Sequence, residues 1–147
     1  MYTADVLLVE DNVYEAELTI RSLKKNNLGG RLLHIEDSQE ALDYVFAKGK
    51  YEGQMNALHL KLIILDLQLP KINGLEILKQ IKSNENTKSI PVVILTSSRM
   101  ENDINVGYAS GVNSYVVKPV NFDEYSQAVA RLGNYWLQLN QQSLQKK

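Results

Sequence analysis

The chain has 147 residues, 44% of them hydrophobic and 22% charged, with a formal net charge of -1. That is enough for one hydrophobic core and too little for two comfortable domains, and the ordinary composition argues against disorder, coiled coils and fibrous chains. The near-neutral charge argues against capture of nucleic acid by bulk field, and the absence of cysteine excludes disulfides, thiolate metal ligands and a cysteine nucleophile.

From the N-terminus, MYTADVLLVEDN carries no basic region before its short apolar run, and nowhere does the chain reach the roughly eighteen apolar residues of a membrane span. A cytoplasmic protein with no membrane partner is expected. Strands are predicted at VLLVE, RLLHI, KLIILD, PVVILT and SYVVK, each bounded by polar or Gly/Pro punctuation. Between them run segments with helical spacing: Ala16, Ile20 and Leu23, then Ala41, Leu42, Val45 and Phe46, then Leu75, Leu78 and Ile81. Gly29 and Gly30 suit the stop after the first helix, and KGKYEGQMNALH makes a long connection before the third strand. The fourth helix is the weakest, with Ile104, Tyr108 and Ala109 on its apolar side and Gly107 inside it. The fifth is the most periodic, with Phe122, Tyr125, Val129, Leu132, Trp136 and Leu139 recurring every three or four residues.

Strands alternating with helices predict an α/β fold: a five-stranded parallel sheet with helices on both faces, doubly wound. One domain over residues 1–140 and a polar tail over 141–147 are expected.

Ligands of such sheets bind outside the carboxyl ends of the strands. The first strand ends in Glu10 and Asp11, the third in Asp66, the fourth in Thr96 followed by Ser97 and Ser98, and the fifth in Lys118 and Pro119. Carboxylates converging there repel unless a cation holds them. Magnesium, which takes one or two carboxylates plus phosphate oxygens, fits Asp11, Asp66 and a backbone carbonyl just past Asp66. Lys118 supplies a cation, Thr96 a hydroxyl and the Ser97 amide an N–H for phosphoryl oxygens. Asp66 is left as the nucleophile, able to form an acyl phosphate. Taken singly, each feature has a plainer reading: Asp11 or Asn12 as a helix cap, Lys118 as a solvated lysine, Thr96 as a strand residue. Their joint placement with Asp66 favours the chemistry.

The runs LLVEDN, LIILDLQLPKINGLEIL, PVVILTSS and SYVVKP, ordered and tied to strand ends, resemble the receiver domain of two-component response regulators, from Val6 to about Leu139. The resemblance implies a flavodoxin-like fold in which Asp66 accepts a phosphoryl group from a sensor histidine kinase. Glu10, Asp11, Asp66 and the Gln68 backbone carbonyl then hold Mg2+, while Thr96 and Lys118 contact the phosphoryl oxygens. It further implies that Tyr115 is the switch aromatic and that the Lys118–Pro119 bond is cis. The long loop and the NYWLQL ending look more specifically like the single-domain regulators paired with phytochrome-type kinases. With no output domain read in the sequence, output is expected from the domain's own surface or by phosphorelay. Tyr14 and Leu18, off the first helix's apolar stripe, together with Pro119, are expected to meet the kinase. A homodimer through the fourth helix, fifth strand and fifth helix is expected, with Tyr135 and Trp136 near the contact. His34 and His59 are expected to be structural or solvated. Val120 departs from the aromatic that often follows the family's Lys-Pro pair, and Gln68 and Ser98 are expected to flank the path of hydrolytic water.

Two rivals stand beside this reading. A haloacid-dehalogenase-like phosphatase also uses a strand-end aspartate and magnesium, but wants an acid two residues on, where Gln68 stands. A receiver-like adaptor that binds regardless of phosphorylation would not need the full set of Asp11, Asp66, Thr96 and Lys118.

Overall fold

The computed structural model describes residues 3–28 and 30–143; the Gly29 half of the expected helix stop and residues 144–147 of the expected tail lie outside them. Five parallel strands, β1 (Val6–Val9), β2 (Leu32–Ile35), β3 (Leu62–Leu65), β4 (Val92–Thr96) and β5 (Ser114–Val117), lie in the order β2-β1-β3-β4-β5. The helices are α1 (Val13–Lys25), α2 (Ser38–Phe46), α3 (Gly74–Lys82), α4 (Glu101–Ala109) and α5 (Phe122–Asn134).

The strands read as unbroken apolar runs because both faces are covered. Leu7, Val9, Ile63, Leu65, Val92 and Ile94 point to one layer, where Ala41, Leu42, Ile77, Leu78 and Ile81 of α2 and α3 close over them. Val6, Leu8, Leu62, Ile64, Val93 and Leu95 point to the other, under Ala16, Leu23, Tyr125, Val129 and Leu132 of α1 and α5. In-step pairing of Val9 with both Ile35 and Leu65 brings the ends of β1 and β3 level. The chain leaves β1 for β2 on one side and returns to β3 on the other, so a crevice opens at this reversal of strand order.

Asparagine and aspartate caps start four of the helices: Asn12, Asp37, Asn73 and Asn121 accept from the amides of Glu15, Glu40, Leu75 and Glu124. Helix α4 begins at Met100 with no side-chain cap. Its buried face is also not the expected one. Gly107 is the position turned to the sheet, against Ile94, Val112 and Tyr115, which carries Tyr108 and Ala109 round to solvent and leaves Ile104 half-buried. The α5 stripe holds at Tyr125, Val129 and Leu132 but not at its ends. Phe122 projects from the first turn, and beyond Asn134 the backbone widens into a π turn (Tyr135–Leu139), closed by the Asn140 amide on the Tyr135 carbonyl at 2.6 Å. The extra residue in that turn shifts the phase and leaves Leu139 exposed.

The long connection before β3 is folded into two short 3-10 turns, Gly49–Tyr51 and Asn56–His59. Tyr51 donates to Glu40 at 2.7 Å and meets Tyr44 edge-on. No helix among the described residues is long and apolar enough to cross a membrane.

Candidate functional site

At the carboxyl edge of the sheet, four side chains predicted to act together are buried together: Glu10, Asp66, Thr96 and Lys118. The Asp66 amide donates to the Val9 carbonyl and the Lys118 amide to the Thr96 carbonyl, which ties the end of β3 to that of β1 and the end of β5 to that of β4. Behind Asp66 the chain turns into α3 through Gly74. A Cβ on Gly74 would fall 2.6 Å from the Leu67 Cα and against the Asp66 carbonyl, so only glycine lets the helix start rest on the aspartate's own peptide.

The Lys118 ammonium organises the cluster. Its Nζ donates to Glu15 Oε1 at 2.5 Å, Glu10 Oε1 at 2.7 Å and Asp66 Oδ2 at 3.1 Å. Burial works against the ammonium, but its bonds to Glu10 and Glu15 outweigh that and hold its pKa above the usual lysine range. Burial also pushes the Glu10 carboxyl up, to about 7, against the pull of Lys118. Asp66 feels the same burial, yet the Lys118 charge and the Thr96 hydroxyl prevail and hold it below its ordinary value. Of the two buried acids, Asp66 is the one held below its ordinary value, as suits a nucleophile, which must be ionised to act.

Around this centre, the Gln68 amide donates to Asp66 Oδ1 at 3.3 Å, and the Gln68 side chain accepts from Ser97 at 3.0 Å. On the other flank the Ser98 amide donates to Thr96 Oγ1 at 3.4 Å, the Ser98 hydroxyl donates to Asp103 at 2.6 Å, and the Tyr115 hydroxyl donates to the Ser98 carbonyl at 3.0 Å. Thr96 is thereby linked to the first turn of α4 and to the half-buried ring of Tyr115.

Among the described residues, the three carboxylates whose oxygens lie within 4.8 Å of one another are those of Glu10, Glu15 and Asp66. Asp11, expected among the ligands, is half-buried outside this group; it is Asn12 that caps α1, and its cap carries Glu15 one turn in, over the site. Glu15 is the residue that sequence reasoning missed. Asn12 and Glu15 have the spacing of a capping box, so the acid reads as a helix-start residue, and only the packing of α1 against α5 shows it facing Lys118. Hard carboxylate oxygens converging in this way fit a divalent cation.

The Lys118–Pro119 bond, expected to be cis, is trans, as is every peptide bond among the described residues; the lysine reaches the acids in this form, and proline tolerates either isomer. Tyr14 is 84% exposed, as expected. Leu18 is half-buried against the α1–α5 core instead of exposed beside it. With Pro119, Val120 and Phe122 it lines a cavity of about 360 Å³ that reaches Glu15 and Lys118. His34 is structural: its Nε2 bonds the Glu10 carbonyl at 2.7 Å.

Residues 6–130 match the response regulator receiver domain family. Among characterised relatives, the chain is 39% identical to the probable methanogenesis regulatory protein FilR2 of Methanothrix harundinacea, covering 92% of this chain and 84% of that one. It is 36% identical to the response regulator Rcp1 of Synechocystis sp., covering 90% and 88%, and the Mn(2+)-bound form of Rcp1 superposes with a TM-score of 0.88 over 95% of this chain and 99% of that one. The phosphorylated cyanobacterial phytochrome response regulator RcpA, 33% identical, also superposes at 0.88, over 96% and 99%. The fold, the strand-end acids with their lysine, and these likenesses agree: the chain belongs to the response regulator receiver family of two-component signalling.

Proposed function

We propose that Asp66 is the phosphoacceptor, that Thr96 and Lys118 bind the transferred group, and that a sensor histidine kinase is the donor. The observation that carries this is the buried Lys118 ammonium bridging Glu10 and Asp66 at 2.7 and 3.1 Å, which sets a cation beside the strand-end carboxylate of Asp66. An Asp66 oxygen attacks the phosphorus of a kinase phosphohistidine; the new P–O bond forms as the P–N bond breaks, and the imidazole nitrogen leaves with the electron pair. Lys118 and the Thr96 hydroxyl donate to the equatorial oxygens. Glu10, Asp11, Asp66 and the Gln68 carbonyl would hold Mg2+. When bound, the metal neutralises charge on the phosphoryl oxygens. Glu10 is the acid whose release of a proton such a cation would favour.

Acceptance by Asp66 draws Thr96 toward the new oxygens, and through Ser98 this reaches Tyr115 and α4. Tyr115 is the switch aromatic in this reading, and the α4–β5–α5 face is the output surface, where a second copy binds. Tyr14, Leu18 and Pro119 meet the kinase, a phytochrome-type photoreceptor by analogy with RcpA, in the cytoplasm. Turnover of external phosphoesters is not part of the function: Gln68 stands where a general acid would be needed.

The test is intact mass after incubation with acetyl phosphate and Mg2+. Wild type gains one phosphate-sized increment and Asp66→Asn gains none; an unmodified wild type, or a modified Asp66→Asn, overturns the assignment.

A further inference from the structure

We propose that Glu15 is a positioning residue: it holds Lys118 on the α1 side of the site, and phosphoryl transfer to Asp66 requires Lys118 to let it go. The inference rests on the reading of Asp66 as phosphoacceptor, and it concerns a residue which that reading does not use.

An ammonium has three protons to donate. Lys118 gives them to Glu15, Glu10 and Asp66, with the shortest bond, 2.5 Å, to Glu15 and the longest, 3.1 Å, to the phosphoacceptor. No donor remains for a phosphoryl oxygen, so one bond must be exchanged. Glu10 and Asp66 are poor choices to release, because their side chains are 3% and 6% exposed and a buried carboxylate left without its cation is costly. The Glu15 side chain is 37% exposed, so water can replace Lys118 there at small cost. Its own backbone is held firmly: the Glu15 amide is capped by Asn12, and its carbonyl accepts from Thr19 and Tyr125. Only the side chain swings. At rest it therefore competes with the incoming phosphoryl group for the cation that group needs.

Two measurements test this. The first needs neither metal nor phosphate donor: a denaturant double-mutant cycle of Glu15→Gln and Lys118→Met. Glu15→Gln should lower stability more with lysine at 118 than with methionine there, and an additive cycle overturns the contact. The second is the rate of Asp66 phosphorylation by acetyl phosphate at saturating Mg2+. In that reaction the P–O bond to acetate breaks as the bond to Asp66 forms, and acetate leaves with the electron pair. Glu15→Gln should react about fivefold faster than wild type, the order expected for losing a partly exposed charge-assisted bond. Damage to the fold would slow the reaction instead. Glu17→Gln, which removes the same charge from an exposed acid of α1 paired with Arg21, should match wild type. The gain should persist at 1 M KCl, where the field of exposed charges is screened within roughly 3 Å. A Glu15→Gln rate equal to or below wild type overturns the tether, as does a Glu17→Gln rate that rises equally or a gain that vanishes in salt. If wild type itself acquires no Asp66-dependent mass, the phosphoacceptor reading fails and the tether's role falls with it.

Discussion

At the residue scale, a buried lysine and a half-buried one meet opposite circumstances. Lys118 has three carboxylates around it, and its charge is secured. Lys82, at the end of α3, has none: its three protons go to the Lys88 carbonyl, the Ile90 carbonyl and Asn113 Oδ1, at 3.0, 2.7 and 2.9 Å. Burial without a counter-charge pushes its pKa down to about 8. Between that value and the lysine's ordinary 10.5, the unfolded chain binds the proton that the folded chain has lost, so stability rises with pH across this window. Below pH 8 both states are protonated and the cost of burying the charge is present in full. Measured against Lys82→Met, wild type should gain about 1–2 kcal/mol from pH 8 to 10 in chemical denaturation, after allowance for the solvent that still reaches it. The same scale shows why Lys118, Asp66 and Thr96 could be read in the sequence and Glu15 could not. The first three sit at the ends of apolar runs, and it is their joint placement at one edge of the sheet that points to a ligand. Glu15 has an ordinary explanation as a first-turn acid, and its second role depends on which way α1 is turned against α5.

At the scale of elements, two glycines separate backbone contacts from side-chain contacts. In α5, a Cβ at Gly133 would meet only the ends of Leu23 and Leu28, at 2.6 and 3.0 Å. Those flexible ends can move, and alanine gains about 1 kcal/mol of helix propensity over glycine, so Gly133→Ala should change stability by less than about 1 kcal/mol. At Gly74 the obstacle is the backbone of Asp66 and Leu67, which cannot yield without moving the site. Gly74→Ala should cost about 1–3 kcal/mol and slow Asp66 phosphorylation as well. Thermal or urea melts of the two variants side by side check the contrast. Strand positions were legible because burial on both faces leaves an unmistakable run such as Leu62–Leu65. Helix phase was less so. In α4 a glycine, the residue that counts for nothing in an apolar stripe, is the one facing the sheet, and in the last helix a π turn shifts the phase by one residue, a change that has no sequence signature at Tyr135–Leu139.

At the scale of the molecule, the two layers divide the work. The α1–α5 layer holds the cavity beside Glu15 and the exposed Tyr14, while Met100 and Tyr108, 65% and 53% exposed, stand on or beside α4. Moving a two-state surface from 1:99 to 99:1 needs about 5.5 kcal/mol of differential interaction, which a few charge-assisted bonds to a phosphoryl group can supply. Sedimentation should therefore show a tighter homodimer with beryllofluoride and Mg2+ than without. Unchanged sedimentation would count against the α4–β5–α5 output surface. The sheet order and the carboxyl-edge crevice followed from the alternation of strands and helices. What the other copy would touch did not, because exposed side chains such as Tyr108 owe their position to Gly107 one residue earlier.

The close seat of Gly74 on the Asp66 peptide separates what can move at the acceptor from what cannot. The Asp66 peptide rests against the backbone at the start of α3, whereas its carboxylate is held by hydrogen bonds from Lys118 and the Gln68 amide. A charge added at Asp66 therefore falls on groups that can exchange hydrogen bonds, while the peptide that carries the acceptor has a wall behind it.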